Sequence, residues 1–231
     1  MLFYQPKDGY CYNSDSIFLY DFISSFKPKG LLLDVGAGCG IVGLLVADEH
    51  KKVELEAIEK QDVFITLATT NARVNNIEYN LHKGDFLEYD FLKKYDYIVS
   101  NPPFYPEGVT KSKNEMIFGA RYSINLPLDM FFKRVSRLLK PNSHFIFCYE
   151  ASSFSKVIYE LEKVKLRAID VRFVYPKKDR VASLVMVHAR NGSKSSTKIH
   201  PPLIHFDGKE FSDEVKQIYK KASTQSIKCQ I

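Results

Sequence analysis

Leu31-Leu-Leu-Asp-Val35 is a nearly unbroken apolar run, and comparable runs recur along the chain, separated by segments of helical spacing. A run apolar on both faces suits a central parallel strand. Residues 53–58 alternate and read as a second strand, with 79–82 as the third, 95–100 as the fourth and 144–149 as the fifth. Between them the pattern predicts helices over 15–26, with Ile17, Phe18, Phe22 and Phe26 as the buried stripe, and over 41–49 and 62–75. Another helix starts at Pro127 and runs through Leu128, Phe131, Phe132, Val135 and Leu138-Leu139 until Lys140-Pro141-Asn142 ends it. A helix over 153–163 precedes two runs, 168–175 and 182–189, which Pro176-Lys-Lys-Asp-Arg180 joins as an antiparallel hairpin. Residues 191–197 read as an exposed flexible stretch, and 213–222 as a short helix in the tail.

Strands alternating with helices imply an α/β, doubly wound parallel sheet. Five such units closing in an antiparallel hairpin resemble the seven-stranded, Rossmann-like fold of S-adenosylmethionine-dependent methyltransferases. The expected organisation is one domain over 1–231. It comprises an N-terminal helical segment (1–29), a catalytic core (30–190) and a C-terminal tail (191–231).

Composition narrows the setting. The apolar fraction of 45% is ordinary for a globular chain, and no stretch approaches the roughly 18 apolar residues a membrane span needs. The first residues lack the basic-then-apolar layout of a signal peptide. Cys11, Cys39, Cys148 and Cys229 are scattered, which argues for reduced thiols in a cytoplasm and against a zinc site or disulfide framework. No His, Cys or carboxylate cluster suggests a metal. Charge is uneven: residues 1–100 carry 10 Lys and Arg against 15 Asp and Glu, while residues 101–231 carry 23 against 12. The net values, −5 and +11, suggest that the second half faces a polyanion, most simply RNA; a solvated basic face is the plainer alternative.

Asp34-Val-Gly36-Ala-Gly38-Cys-Gly40 joins the first strand to its helix. Alternate glycines let the backbone turn tightly and let a ligand approach without an intervening Cβ. In a doubly wound sheet this crevice is where a nucleoside ligand sits. Gly38, Gly40 and Gly43 also spell a dinucleotide fingerprint, but that frame starts two residues late, and the proper frame has Ile41 at its third glycine. Asp34 would orient the loop or meet the ammonium of S-adenosylmethionine. Glu59, closing the second strand, would accept from ribose hydroxyls, or simply start a helix. Asp85 would accept from an adenine amine with Phe86 beside the ring, or simply form a turn.

Asn101-Pro102-Pro103-Phe104 closes the fourth strand. The Asn101 side-chain carbonyl and the rigidly directed Pro102 carbonyl are two acceptors for a planar amine, and Phe104 and Tyr105 are faces for a ring to stack on. A turn ending a strand is the plain alternative. An adenine amine is a poor nucleophile, because its lone pair is delocalised into the ring. Preorganised acceptors would stabilise the positive charge that grows on it as a bond to carbon forms.

With these motifs the chain resembles the NPP[YF] methyltransferases over essentially its whole length. Within them it most resembles the bacterial tRNA N6-adenine methyltransferases that modify the adenosine just 3′ of the anticodon of a valine tRNA. The closer match lies in Gln5-Pro-Lys-Asp-Gly9-Tyr10-Cys-Tyr-Asn-Ser-Asp15-Ser16-Ile-Phe-Leu19 and in Gly119-Ala120-Arg121-Tyr122 with Leu126 following. The resemblance implies S-adenosylmethionine as cofactor, tRNA as partner, and Asp15 and Ser16 near the cofactor. It also implies that Arg121 steadies the catalytic loop or a phosphate; a salt-bridged loop arginine is the alternative. Relatives often carry tyrosine where this chain has Phe104. Asn-Pro-Pro-Phe also occurs in ribosomal RNA guanine-N2 methyltransferases, and Asn-Pro-Pro in protein glutamine methyltransferases, so both acceptors stay open. So does a catalytically silent RNA-binding relative, against which the full residue set argues. A monomer is expected, with the oligomeric state left open.

Overall fold

In the computed structural model, residues 1–8, 11–102 and 126–230 are described. Strand β1 (Leu2–Pro6) leads to helix α1 (Ser14–Ser24), followed by β2 (Gly30–Val35), α2 (Ile41–Glu49), β3 (Val53–Glu59), α3 (Asp62–Val74), β4 (Asn80–Lys83) and β5 (Tyr95–Ser100). Then come α4 (Leu128–Leu138), β6 (Leu139–Glu150), α5 (Phe154–Lys163), β7 (Leu166–Tyr175) and β8 (Leu184–Asn191). The rest is β9 (Lys198–Ile199), β10 (Leu203–Ile204), β11 (Phe206–Asp207), β12 (Glu210–Phe211), α6 (Asp213–Ala222) and β13 (Gln225–Cys229).

The main sheet runs β10-β7-β8-β6-β5-β2-β3-β4, with β9 also on β7. β2 through β6 pair in parallel, and β8 is antiparallel to both β6 and β7. Inserting β8 between β6 and β7 leaves β7 pointing the same way as β6, so every parallel strand ends on one rim. Side chains alternate across the sheet as the strand period requires. Leu32 joins a core under α1, α2 and α3, whereas Leu33 and Val35 join a second core under α4 and α5. Phe131, Phe132, Phe145 and Phe147 anchor that second core as a mostly edge-to-face aromatic cluster.

The seven expected strands are β2–β8, and β9 and β10 extend the sheet to nine among the described residues. The tail returns to the open edge of β7, where Lys198–Ile199 pair with Asp170 and Val171, and Leu203–Ile204 with Val174 and Tyr175. Two-residue strands carry no periodicity to read, and covering an exposed edge is what makes them form. The N-terminal segment is not wholly helical, because Leu2–Pro6 is a strand paired in parallel with Gln225–Cys229. Finally, β6 begins at Leu139 rather than after Asn142. Tyr95 pairs with Leu139 but Tyr97 with His144, so Pro141 and Asn142 bulge from the ladder, with Asn142 at φ +62°.

Candidate active site

Neighbouring strand ends along the rim bring the predicted residues together. Val35 on β2 pairs with Ser100 on β5 and with Ile58 on β3, and Glu59 pairs with Lys83 on β4. Asn101, Gly36, Glu59 and the Gly84-Asp85 turn therefore follow one another across four strands spaced about 5 Å apart. They line one cleft, together with Tyr12, Ser16, Asp34, Gly38, Phe86 and Leu126.

The glycine loop owes its shape to backbone conformation. Gly36 and Gly38 have φ +68° and +56°, where a side chain is strained, and a Cβ at either would meet nothing within 4 Å. Both face open cleft, which leaves room for a ligand to approach the backbone. The Gly36 and Ala37 amides donate to the Ile58 carbonyl, tying the loop to β3. Gly43 has a different duty. A Cβ there would lie 2.9 Å from Asp34 Oδ2 and from a Leu55 methyl carbon, so glycine lets α2 press onto the sheet. The Gly43 amide then donates to Asp34 Oδ2 at 2.9 Å. Asp34 is 2% exposed. Burial pushes its carboxyl up to about 7; the Gly43 amide offsets part of this, and the nearby Glu59 charge adds to it.

Glu59 accepts the Gly38 amide on Oε2 at 2.9 Å, and the Lys60 and Gln61 amides on Oε1 at 2.7 and 2.9 Å. Oε1 is thus filled, and Oε2 keeps room for one further donor. Asp85 forms an Asx turn, accepting the Leu87 amide on Oδ1, while Lys60 pairs with Oδ2 at 3.1 Å. That pair is exposed enough to exchange readily for a ligand contact. Phe86 packs edge-on against Phe131 in the core beneath while its neighbourhood lines the cleft.

Asn101 leaves β5 beside Ser100, whose buried hydroxyl donates to the Val35 carbonyl at 2.8 Å and fixes the two strand ends. Asn101 Nδ2 donates to Ser16 Oγ at 3.1 Å, and Oδ1 accepts from Cys148 Sγ at 3.0 Å. Ser16 is in the first turn of α1, which Asn13 caps by accepting the Asp15 amide. Asp15 stands at the same turn but outside the cleft lining. Burial pushes its carboxyl up against a hydrogen bond from Asn13. Pro102 is buried. Pro103, Phe104, Tyr105 and Arg121 lie outside the described residues.

Sequence reasoning missed the residues that hold this arrangement. Asn71, fully buried on α3, accepts the Tyr4 amide and donates to the Tyr4 and Cys39 carbonyls. One turn on, Asn75 makes the same paired contacts to Leu2. The two amides stand in for a neighbouring strand along one edge of β1, and Asn71 ties that strand to the glycine loop. Gln5 then accepts the Tyr12 amide and donates to Ser226, setting Tyr12 at the cleft. An i, i+4 pair of asparagines facing the core is the one sequence signal that could have suggested this. No group of His, Cys, Asp and Glu among the described residues could hold a metal ion, and no described helix is long and apolar enough to cross a membrane.

Residues 14–125 match the family model described as the methyltransferase small domain. A tRNA1(Val) (adenine(37)-N6)-methyltransferase of Aliivibrio fischeri is 31% identical over 135 residues, 54% of this chain and 56% of the relative. The first such relatives are thus matched over about half of their own length. A protein of the same description from Flavobacterium johnsoniae is 27% identical over 229 residues, covering 94% of this chain and 95% of its own. Among solved structures, a predicted O-methyltransferase of Agrobacterium tumefaciens superposes with a TM-score of 0.70 at 15% identity, covering 93% of this chain and all of its own. The M protein of the type I restriction enzyme EcoKI superposes at 0.63 with 17% identity, over 89% of this chain and 52% of its own. These superpositions establish the fold as that of the Rossmann-like methyltransferases.

Proposed function

We propose that this chain, whose residues 14–125 match the methyltransferase small domain model, transfers a methyl group from S-adenosylmethionine to the N6 amine of an adenosine in tRNA. The target is the adenosine just 3′ of the anticodon of a valine tRNA. The reading places the activity in one domain over 1–231, acting as a monomer in the cytoplasm. The observation that carries it is the rim itself, where Asn101, the glycine loop, Glu59 and Asp85 occupy adjacent strand ends of one cleft. The matching descriptions of the relatives supply the substrate.

The cleft's chemistry fits the cofactor. The open backbone at Gly36 and Gly38 admits it, the free capacity of Glu59 Oε2 suits one ribose hydroxyl, and Asp85 with Phe86 suits adenine. Asp34 would meet the ammonium or brace the loop through the Gly43 amide. When bound, S-adenosylmethionine supplies an electrophilic methyl group on a sulfonium. The chain's part is to hold the acceptor. Asn101 Oδ1 and the Pro102 carbonyl receive the hydrogens of an adenine amine, and they stabilise the charge that develops as its nitrogen bonds to carbon. A proton then leaves to water. Phe104 and Tyr105 would stack on a base unstacked from the RNA, and Arg121 would contact a phosphate or brace their loop. The excess of positive charge in residues 101–231 suits the RNA backbone.

Labelled methyl transfer into total small RNA, followed by nucleoside analysis, tests the proposal. N6-methyladenosine is the expected product; a guanine-N2 product, or label only in protein, would overturn it. Asn101→Ala should lower transfer by about a hundredfold or more while cofactor affinity stays near that of the native chain. Surviving activity would remove Asn101 from the mechanism.

A further inference from the structure

The backbone fixes where Asn101 stands but not how its amide is turned. Rotation about the last side-chain bond exchanges oxygen for nitrogen, and an NH2 group cannot accept from a substrate amine. Two side chains from different elements hold the amide at both ends. Ser16 Oγ, at the start of α1, accepts from Nδ2 at 3.1 Å, and Cys148 Sγ, on β6, donates to Oδ1 at 3.0 Å. The register explains why Cys148 is there: Ser100 pairs with Phe147, so the residues that follow each, Asn101 and Cys148, are neighbours.

We infer that Cys148 and Ser16 are positioning residues for the methyl-transfer step, together fixing the Asn101 amide with its oxygen as the acceptor. This rests on the function proposed above. Cys148 is fully buried, and burial pushes its thiol well above its ordinary pKa. It therefore remains an S–H donor across the working pH range. A thiol is a weak donor, and a carbonyl oxygen has two lone pairs. Cys148 thus orients Oδ1 while leaving a lone pair, and most of its acceptor strength, for the substrate.

Cys148→Ala should lower kcat by about tenfold and leave KM for the cofactor within about twofold, the loss expected when one hydrogen bond no longer orients a reacting group. Cys148→Ser restores a donor and should recover most of kcat. A second readout is independent of activity. The Asn101 side-chain amide should give two distinct, exchange-protected proton signals by NMR in the native and Cys148→Ser chains, and lose that protection in Cys148→Ala. An Ala variant with native kcat and unchanged amide signals would overturn the inference. So would a Ser variant as slow as Ala, because the sulfur would then matter by packing alone. If Cys148→Ala does not fold, Ser16→Ala carries the same test from the other end of the amide. If the native chain transfers no methyl group to RNA, the function proposed above fails, while the NMR signals still decide whether Cys148 orients Asn101.

Discussion

Asp34 and Glu56 lie on adjacent strands and are almost equally buried, at 2% and 5% exposed, yet they are held in opposite directions. Burial alone pushes both carboxyls up. For Glu56 it is overcome by Lys93 at 2.9 Å, His82 at 3.1 Å and Tyr95 at 2.8 Å, which bring the carboxyl down to about 2. The chain of contacts continues outward, as the Tyr89 hydroxyl and His82 Nδ1 share a hydrogen bond of 2.9 Å. Asp34 has the Gly43 amide and rises to about 7. A small exposed area therefore does not by itself decide whether a carboxylate is charged; how deep it lies and how many donors face it do. Glu56 is saturated, and it binds the segment after β4 to the sheet. Asp34 is under-served and faces a cleft, where a cationic ligand would supply what the protein does not.

Three experiments would break or sharpen this contrast. The largest effect belongs to Glu56→Ala, which strands the buried Tyr95 hydroxyl and should lower stability in urea by about 3 kcal/mol. A loss near zero would mean that the network contributes nothing. Next is the pH dependence of stability, which should run in opposite directions at the two sites. The Glu56 contribution is present above its unfolded pKa of 4.5 and is lost as pH falls towards 2, so Glu56→Gln should flatten the acid limb. The Asp34 contribution is present below 3.8 and is lost as pH rises through about 7. The native chain should therefore lose stability relative to Asp34→Asn as pH rises from 4 to 8. Parallel curves for native and variant would refute the Asp34 assignment. The smallest effect is Tyr89→Phe, which removes the outermost hydrogen bond and should cost about 0.5–1 kcal/mol. A loss as large as that of Glu56→Ala would move the centre of the network to Tyr89.

The same contrast marks how far the sequence could be read. Strand β5 and helix α2 fall where their apolar patterns place them, because each is bounded by residues that end it: Asn101-Pro102 after the strand, Gly40 before the helix. That Asp34, Glu59 and Asn101 share one cleft was legible for a related reason, since strand ends in a doubly wound sheet converge on one crevice. Their supports were not. Cys148 and Ser100 read as ordinary interior residues of strands, and Asn71 as a polar residue in a helix; only the register of strands distant in sequence gives them partners. Nor does any local pattern match Leu2–Pro6 to Gln225–Cys229, whose outer strand is mostly exposed and polar.

That last pairing bears on the order of events during synthesis. A ribosome releases β13 more than two hundred residues after β1. Until then the Asn71 and Asn75 amides are what pair with the backbone of Leu2 and Tyr4 among the described residues. Ser226, the partner of Gln5, which holds Tyr12 at the cleft, does not yet exist. The sheet can assemble as it emerges, but the cleft gains this wall only after Gln225–Cys229 has been made.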